Sequence, residues 1–422
     1  MQPAEKTARR GTTLFIFVTV AIDMVAIGII IPVLPKLIAG FLGGNLSHAA
    51  EITGIFATVW SAMQFFCSPL LGMLSDRVGR RPVILVSCAV TAVDFAIMAL
   101  APNLWWLFAG RVLSGMATAN ISTAYAYIAD VTAFEKRAQA YGLLGSAFGL
   151  GFIIGPAIGG LAGNVDPRLP FWIAAAFSLA NTLYGLFVLP ESLAKEHRTA
   201  RIDWKRANPL GSLKLLRRHR ELYGLAGVSF VTLIAHEALP VLWVLYLIAQ
   251  FGWDERAIGF SLALVGVCSS FTAAVLVGPV VKHLGERRTL LLGLATFALG
   301  NVLLGFPNTA VVIAGIVVLC LSIYNSPSQA LMSRHVGPSE QGELQGALGA
   351  MRGIGMMIAP LFFAWIFAQV AGPLRSLDLL GAPYFIAAAL VVVALLLAWR
   401  VTSREDDVVL PVTPEPVTIV EA

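Results

Sequence analysis

The stretch "GMLSDRVGRRP", Gly72–Pro82, sets Asp76, Arg77, Arg80 and Arg81 between two long runs of almost uncharged, apolar sequence. It returns as "GPVVKHLGERR", Gly278–Arg288, where Gly72, Asp76, Gly79 and Arg81 fall on Gly278, Lys282, Gly285 and Arg287. A second repeat is longer. "DVTAFEKRAQAYGLLGSAFGLGFIIGP", from Asp130, aligns without gaps on "RHVGPSEQGELQGALGAMRGIGMMIAP", from Arg334. Gly142, Gly145, Gly149, Gly151 and Pro156 fall on Gly346, Gly349, Gly353, Gly355 and Pro360. So many glycines and a proline in register mark two copies of one unit.

The sequence around these motifs is that of a membrane protein. Of 422 residues 58% are hydrophobic and 13% charged, and the mean hydropathy of +0.80 exceeds what a water-facing surface tolerates. A spanning helix needs roughly 20 apolar residues. Twelve segments qualify, near 12–36, 52–72, 83–101, 104–128, 139–163, 169–189, 222–250, 257–280, 289–306, 309–332, 345–371 and 380–399, numbered below as spans 1 to 12. With the N-terminus placed inside, only Lys36, Arg168, Arg256 and Arg375 fall in connections on the outer side. Apart from Arg111 and Arg352 inside spans, the remaining Lys and Arg fall on the other side, which predicts both termini in the cytoplasm. The net charge of +5 then reflects topology and implies no nucleic-acid partner. The first apolar run is too long for a signal-peptide core, and no small-residue cleavage site follows it, so it is expected to persist. Cys67, Cys88, Cys268 and Cys320 all lie inside spans, without metal-ligand or disulfide spacing, and read as small buried residues.

The longest cytoplasmic connection, 191–221, contains "KEHRTARIDWKRANPLGSLKLLRRHR" and separates six spans from six. The expected organisation is an N-terminal six-helix bundle over 1–190, this basic linker, a C-terminal bundle over 222–400, and a tail over 401–422 without a core of its own. The linker's amphipathic fragments can lie on an anionic leaflet or remain solvated.

Six plus six helices, with "GMLSDRVGRRP" after span 2 and "GLGFIIGPAIGG" in span 5, resemble the major facilitator superfamily. More narrowly, "AIDMVAIGIIIPVLP", "MQFFCSPLLGMLSDRVGRRPVIL", "DFAIMALAP", "AGRVLSG" and "AYIADVT" resemble the bacterial tetracycline-resistance branch of its drug:proton antiporters. The resemblance implies an inner-membrane antiporter that exports a small amphipathic organic molecule by alternating access, with the proton gradient in place of a cofactor. In that branch the drug is carried as a chelate with a divalent cation. Ser269 stands where the branch carries a membrane His and Phe297 where it carries a membrane Asp, whereas His236, Glu237 and Arg352 are this chain's own.

Residue chemistry gives these motifs roles. Gly72 and Gly79 allow a tight turn. Asp76 can accept hydrogen bonds from a neighbouring helix N-terminus or pair with Arg80 or Arg81, so the cluster is expected to latch the halves in one state and release them in the other. Gly151, Gly155, Pro156, Gly159 and Gly160 form what the resemblance marks as the antiporter motif, and close helix packing is the competing account. Charges at membrane depth are costly and usually functional. Asp23, Asp94, Arg111 and Glu237 are the proton-coupling candidates. Asp94 can equally be a permanent partner of Arg111 that holds helices together, and Asp23 has the same alternative. Pro240 cannot donate to the carbonyl of His236, so span 7 is expected to be irregular there, and only one of His236 and Glu237 should face a cavity squarely. Asp23 and Glu237 are expected to approach one central cavity from opposite halves and to favour cationic substrates. Gln64, Asn120, Tyr127, His236, Trp243, Asn325, Gln329 and Arg352 are candidates to line the path.

An uptake symporter on the same fold is the first rival, and the span 5 motif argues against it. An intramembrane enzyme built on His236 and Glu237 is the second, but no H-E-x-x-H motif or nucleophile signature accompanies the pair. A small molecule, protons and the lipid bilayer are the expected partners, and a monomer is the expected unit.

Overall fold

Glycine with positive φ punctuates the chain at the same place in each copy. Gly79 (φ +111°) ends one helix and starts the next, and Gly285 (φ +76°) bends a continuous helical run. The computed structural model describes residues 3–118, 121–133, 136–199, 211–219, 222–337 and 340–403, and all regular elements in them are helices. Ten helices are long and apolar enough to cross a membrane. One of them, Glu255–Leu304, holds spans 8 and 9 joined at Gly285, while span 4 is described as Leu104–Thr118 and Ile121–Val131, with 119–120 outside the described residues. The twelve segments are therefore all present. Residues 200–210 and 220–221 of the expected linker, and 404–422 of the tail, lie outside the described residues.

The helices overrun the apolar cores from which they were recognised. Span 2 runs Leu46–Val78, and its 33 residues exceed a hydrocarbon core of about 30 Å at about 1.5 Å per residue. Polar caps set several ends: the Asn45 side chain accepts from His48 N–H at 3.1 Å, Asp254 from Ala257 N–H at 2.8 Å and Asn308 from Val311 N–H at 3.2 Å.

Span 7 breaks where the proline predicts. Leu222–His236 and Ala238–Phe251 meet at Glu237, three residues before Pro240, which cannot donate to the His236 carbonyl. Span 10 also breaks, between Thr309–Cys320 and Asn325–Arg334. In span 8, Thr272–Leu276 is a π-helical turn.

The halves meet chiefly through two helix pairs, span 5 on span 8 and span 2 on span 11, and Ala238–Phe251 of span 7 also packs on span 2 and on Leu34–Phe41. At the end away from the basic loops, called the far end, the contact is backbone to backbone. A Cβ on Gly160 would overlap the Glu255 carbonyl and the Gly259 Cα, and one on Gly54 would overlap Ala364 and the Pro360 carbonyl. Ser47 Oγ donates to Ala368 O at 2.8 Å, and Thr58 Oγ1 to Met357 O at 2.9 Å. At the basic end the same helices diverge. A Cβ on Gly72, Gly142, Gly145, Gly342 or Gly349 would meet no neighbouring atom within 4 Å among the described residues. The molecule is thus closed at the far end and open at the basic end.

The repeat is visible in the ion pairs. Arg80, after Gly79, bonds Asp130 through Nε at 3.1 Å, and Glu286, after Gly285, bonds Arg334 at 2.7 Å. Each bond ties the turn between the second and third helix of a half to the end of its fourth.

Candidate functional site

Two broken helices create the cavity. Glu237 interrupts span 7 and residues 321–324 interrupt span 10, and irregular backbone at membrane depth persists only where protein or a wet cavity satisfies it. The breaks touch: Tyr324 Oη lies 3.1 Å from His236 Nδ1, and the Tyr324 ring stacks on Phe297 at 5.0 Å. On one side of this junction is a cavity of about 350 Å³, with His236, Asn325, Gln329 and Arg352 among its walls. On the other is one of about 190 Å³, reaching Ser269, Cys320 and the π-helical turn. His236, Tyr324 and Asn325 belong to both.

Four of the eight path-lining candidates are therefore brought together: His236, Asn325, Gln329 and Arg352. Gln329 Nε2 donates to Asn325 Oδ1 at 3.1 Å, one helical turn away. Of the expected pair at the bend, His236 faces the larger cavity; Glu237 is half-buried at the break itself, within electrostatic reach of Arg352.

Three candidates sit elsewhere. Tyr127 is fully buried and donates to Pro190 O at 2.9 Å. Trp243 lies beyond the break, on the part of span 7 packed into the second bundle, where Nε1 donates to Ser261 Oγ at 2.8 Å. Aromatic bulk drew both into the bundle cores. Gln64 is half-buried and lines neither cavity. Asn120 lies outside the described residues.

The coupling candidates divide as well. Asp23 does not approach the cleft: Asn181 Nδ2 donates to its Oδ1 at 3.1 Å and Cys88 Sγ to its Oδ2 at 3.9 Å, inside the first bundle between spans 1, 3 and 6. The expectation that Asp23 and Glu237 share one cavity is corrected accordingly, because span 1 turns this face toward its own half. Asp94 is fully buried 4.0 Å from Arg111 Nη2, the geometry of an interhelical pair between spans 3 and 4.

The turn cluster is held within the first half. Arg80 Nη1 lies 2.6 Å from both Asp76 Oδ1 and Ser75 Oγ, its Nε bonds Asp130, and its backbone N–H donates to Glu191 Oε1 at 2.9 Å. Arg81 donates to Leu186 O, and Arg77 is exposed. Asp76 is thus turned to its own half, in keeping with the open basic end. The span 5 motif works on two faces. Gly151, Gly155 and Gly159 admit Met24, Gly28 and Ile29 of span 1, and Pro156 and Gly160 meet Gly259 across the halves.

Sequence reasoning missed Tyr324, Asp130, Glu191, Asn181 and the pair Lys36–Glu255. The polar run "SIYNSPSQ", 322–329, in an otherwise apolar span was a signal for the first. Among the described residues no group of three His, Cys, Asp or Glu could hold a metal ion.

Two six-helix halves that meet at one end and part at the other, with polar cavities at helix breaks of the second half, have the architecture of a membrane transporter. The chain belongs to the major facilitator superfamily, whose family model matches residues 16–241 and 225–421. It is 36% identical over 379 residues to the class C tetracycline resistance protein of Escherichia coli, covering 89% of this chain and 93% of that one. The class B protein of the same organism is 32% identical, over 85% of this chain and 88% of that one. Among solved structures, a nucleoside transporter superposes with a TM-score of 0.74 at 14% identity, covering 92% of this chain and 99% of the other. The human organic anion transporter of this fold gives 0.68 at 22% identity, covering 94% and 100%.

Proposed function

We propose that this protein exports a small amphipathic organic molecule, of the tetracycline type, from the bacterial cytoplasm in exchange for protons. It acts as a monomer in the inner membrane, with both termini and the open end of the cleft facing the cytoplasm. The observation that carries this reading is the cleft itself: His236, Asn325, Gln329 and Arg352 are reached from the basic end while the far end is closed by Gly160, Gly259 and the Lys36–Glu255 pair. Kinship with the tetracycline resistance proteins supports a drug as cargo, and the basic loops support the orientation.

In this reading substrate enters the open cleft, the basic end closes as Asp76 exchanges its partner, and the far end parts between spans 5 and 8. Carboxyls that see water in one arrangement and protein in the other take up and release the proton. A potential of 100 mV supplies about 2.3 kcal/mol per proton, enough for roughly a fifty-fold gradient. Inverted membrane vesicles test it. On energisation they should accumulate tetracycline in the presence of Mg²⁺, and a protonophore should abolish accumulation; no accumulation across a panel of drugs would overturn the reading.

A further inference from the structure

Arg352 is a cation at membrane depth. Its side chain is exposed to the cleft, and among the described residues it makes no hydrogen bond and no ion pair. Charges inside membranes ordinarily pair or serve a pathway. The carboxyl within electrostatic reach, Glu237, sits at the break of span 7 outside the cavity wall and does not contact it directly. No Asp or Glu is among the residues lining the cavity.

The surroundings of this guanidinium are those of a binding site. Gln329 and Asn325 offer amide groups beside it, and Tyr324 brings an aromatic face that already stacks on Phe297. From the other half Tyr125, exposed on span 4, lies within electrostatic reach across the cleft. A ligand held between Arg352 and Tyr125 would touch both halves, which is what a transported molecule must do.

We propose that Arg352 anchors the negatively charged oxygen of an aromatic organic anion, with the ligand's ring system lying against Tyr324 and Tyr125. This rests on the transport reading above and narrows its substrate to acids and enolate-bearing compounds, in place of the cations that Asp23 and Glu237 together suggested. A planar fork of N–H donors suits a carboxylate or a pair of enolate oxygens.

The experiment uses the purified full chain in detergent and three probes of one ring system: 1-naphthaleneacetate, the neutral 1-naphthaleneacetamide and the cationic 1-naphthalenemethylamine. Calorimetry should show the acid binding about tenfold or more tighter than the amide, as one charge-assisted bond implies. Arg352→Gln should remove that preference and leave the amide within about twofold, while Arg352→Lys should retain part of it. Equal affinity for acid and amide in the wild-type protein, or equal loss of both in Arg352→Gln, would overturn the proposal. So would phosphatidylglycerol retained by the wild-type protein and lost from Arg352→Gln without naphthaleneacetate binding, which would assign the guanidinium to a lipid headgroup. Vesicle transport separates the two readings. Acid-selective binding without proton-driven transport would remove the transport reading and keep the site; proton-driven tetracycline accumulation without acid selectivity would do the reverse.

Discussion

Lys36 Nζ lies 2.5 Å from Glu255 Oε1, and this ion pair joins the end of span 1 to the start of span 8 at the closed end of the cleft. The partners are unequal: the lysine side chain is 43% exposed and the glutamate 4%. Removing the lysine leaves a buried carboxylate without its cation, at a cost of about 1–3 kcal/mol to the closed state. Lys36→Ala should therefore open the far end more than Glu255→Gln does. A cysteine at Ser47, in a chain freed of its other cysteines, reads this out, because Ser47 Oγ bonds the Ala368 carbonyl only while the halves meet. Far-side alkylation should rise about tenfold in Lys36→Ala, and unchanged labelling would mean that glycine packing alone holds this end.

Asp76 is bonded to Arg80 here, and its role in closing the basic end depends on leaving that bond. Asp76→Asn keeps the shape and loses the charge. Drug efflux by this variant should fall about tenfold or more with membrane protein level and substrate binding preserved. Efflux at the wild-type rate would reduce the cluster to a turn.

Glycines on the two sides of the cleft should respond in opposite ways. Gly160→Val forces a side chain between spans 5 and 8, and overpacking of this kind costs about 1–3 kcal/mol. Gly342→Val adds its side chain to open space in the present arrangement and lines neither cavity. The first should lose transport and the second keep insertion and substrate binding. Comparable loss of binding in both would contradict the open and closed ends described here.

Asp23 is held inside the first bundle by Asn181 and Cys88. If its carboxyl carries the coupled proton, Asp23→Asn should abolish accumulation against a gradient while substrate-for-substrate exchange across vesicles continues. Loss of both activities together would make Asp23 a structural tie between spans 1, 3 and 6.

Spans, repeats and turns were legible because each is written in local sequence: apolar runs, glycines in register, charges between them. The break in span 7 was legible from Pro240 alone. What local sequence cannot express is which face of a span meets which neighbour. Trp243 and Tyr127 looked like path-lining aromatics and are core, while Asp23 was placed at a cavity that its face of span 1 does not reach. Lys36 and Glu255 are 219 positions apart, and nothing near either residue announces the other. Tyr324 escaped notice because its importance lies in the contact with His236, between two breaks in different spans.

The ion pairs at the two turns carry a consequence for how the basic end closes. Asp76, Arg80 and Asp130 of the first half correspond to Lys282, Glu286 and Arg334 of the second, so the sign of every member is inverted between the copies. Two identical triads would carry like net charge on both approaching bodies and oppose their meeting. Inverted triads carry opposite net charge, so Asp76 and Asp130 can pair with Lys282 and Arg334 as the end closes, within turns that Arg77, Arg81, Arg287 and Arg288 keep basic on both sides. Such attraction is screened over about 10 Å at 0.1 M salt. Rising ionic strength should accordingly lengthen the dwell in the open arrangement, measurable as a longer mean distance between labels at Gly72 and Gly342, both of which face open space in this state. Divergence after duplication has in this way turned a pair of like copies into a self-attracting clasp.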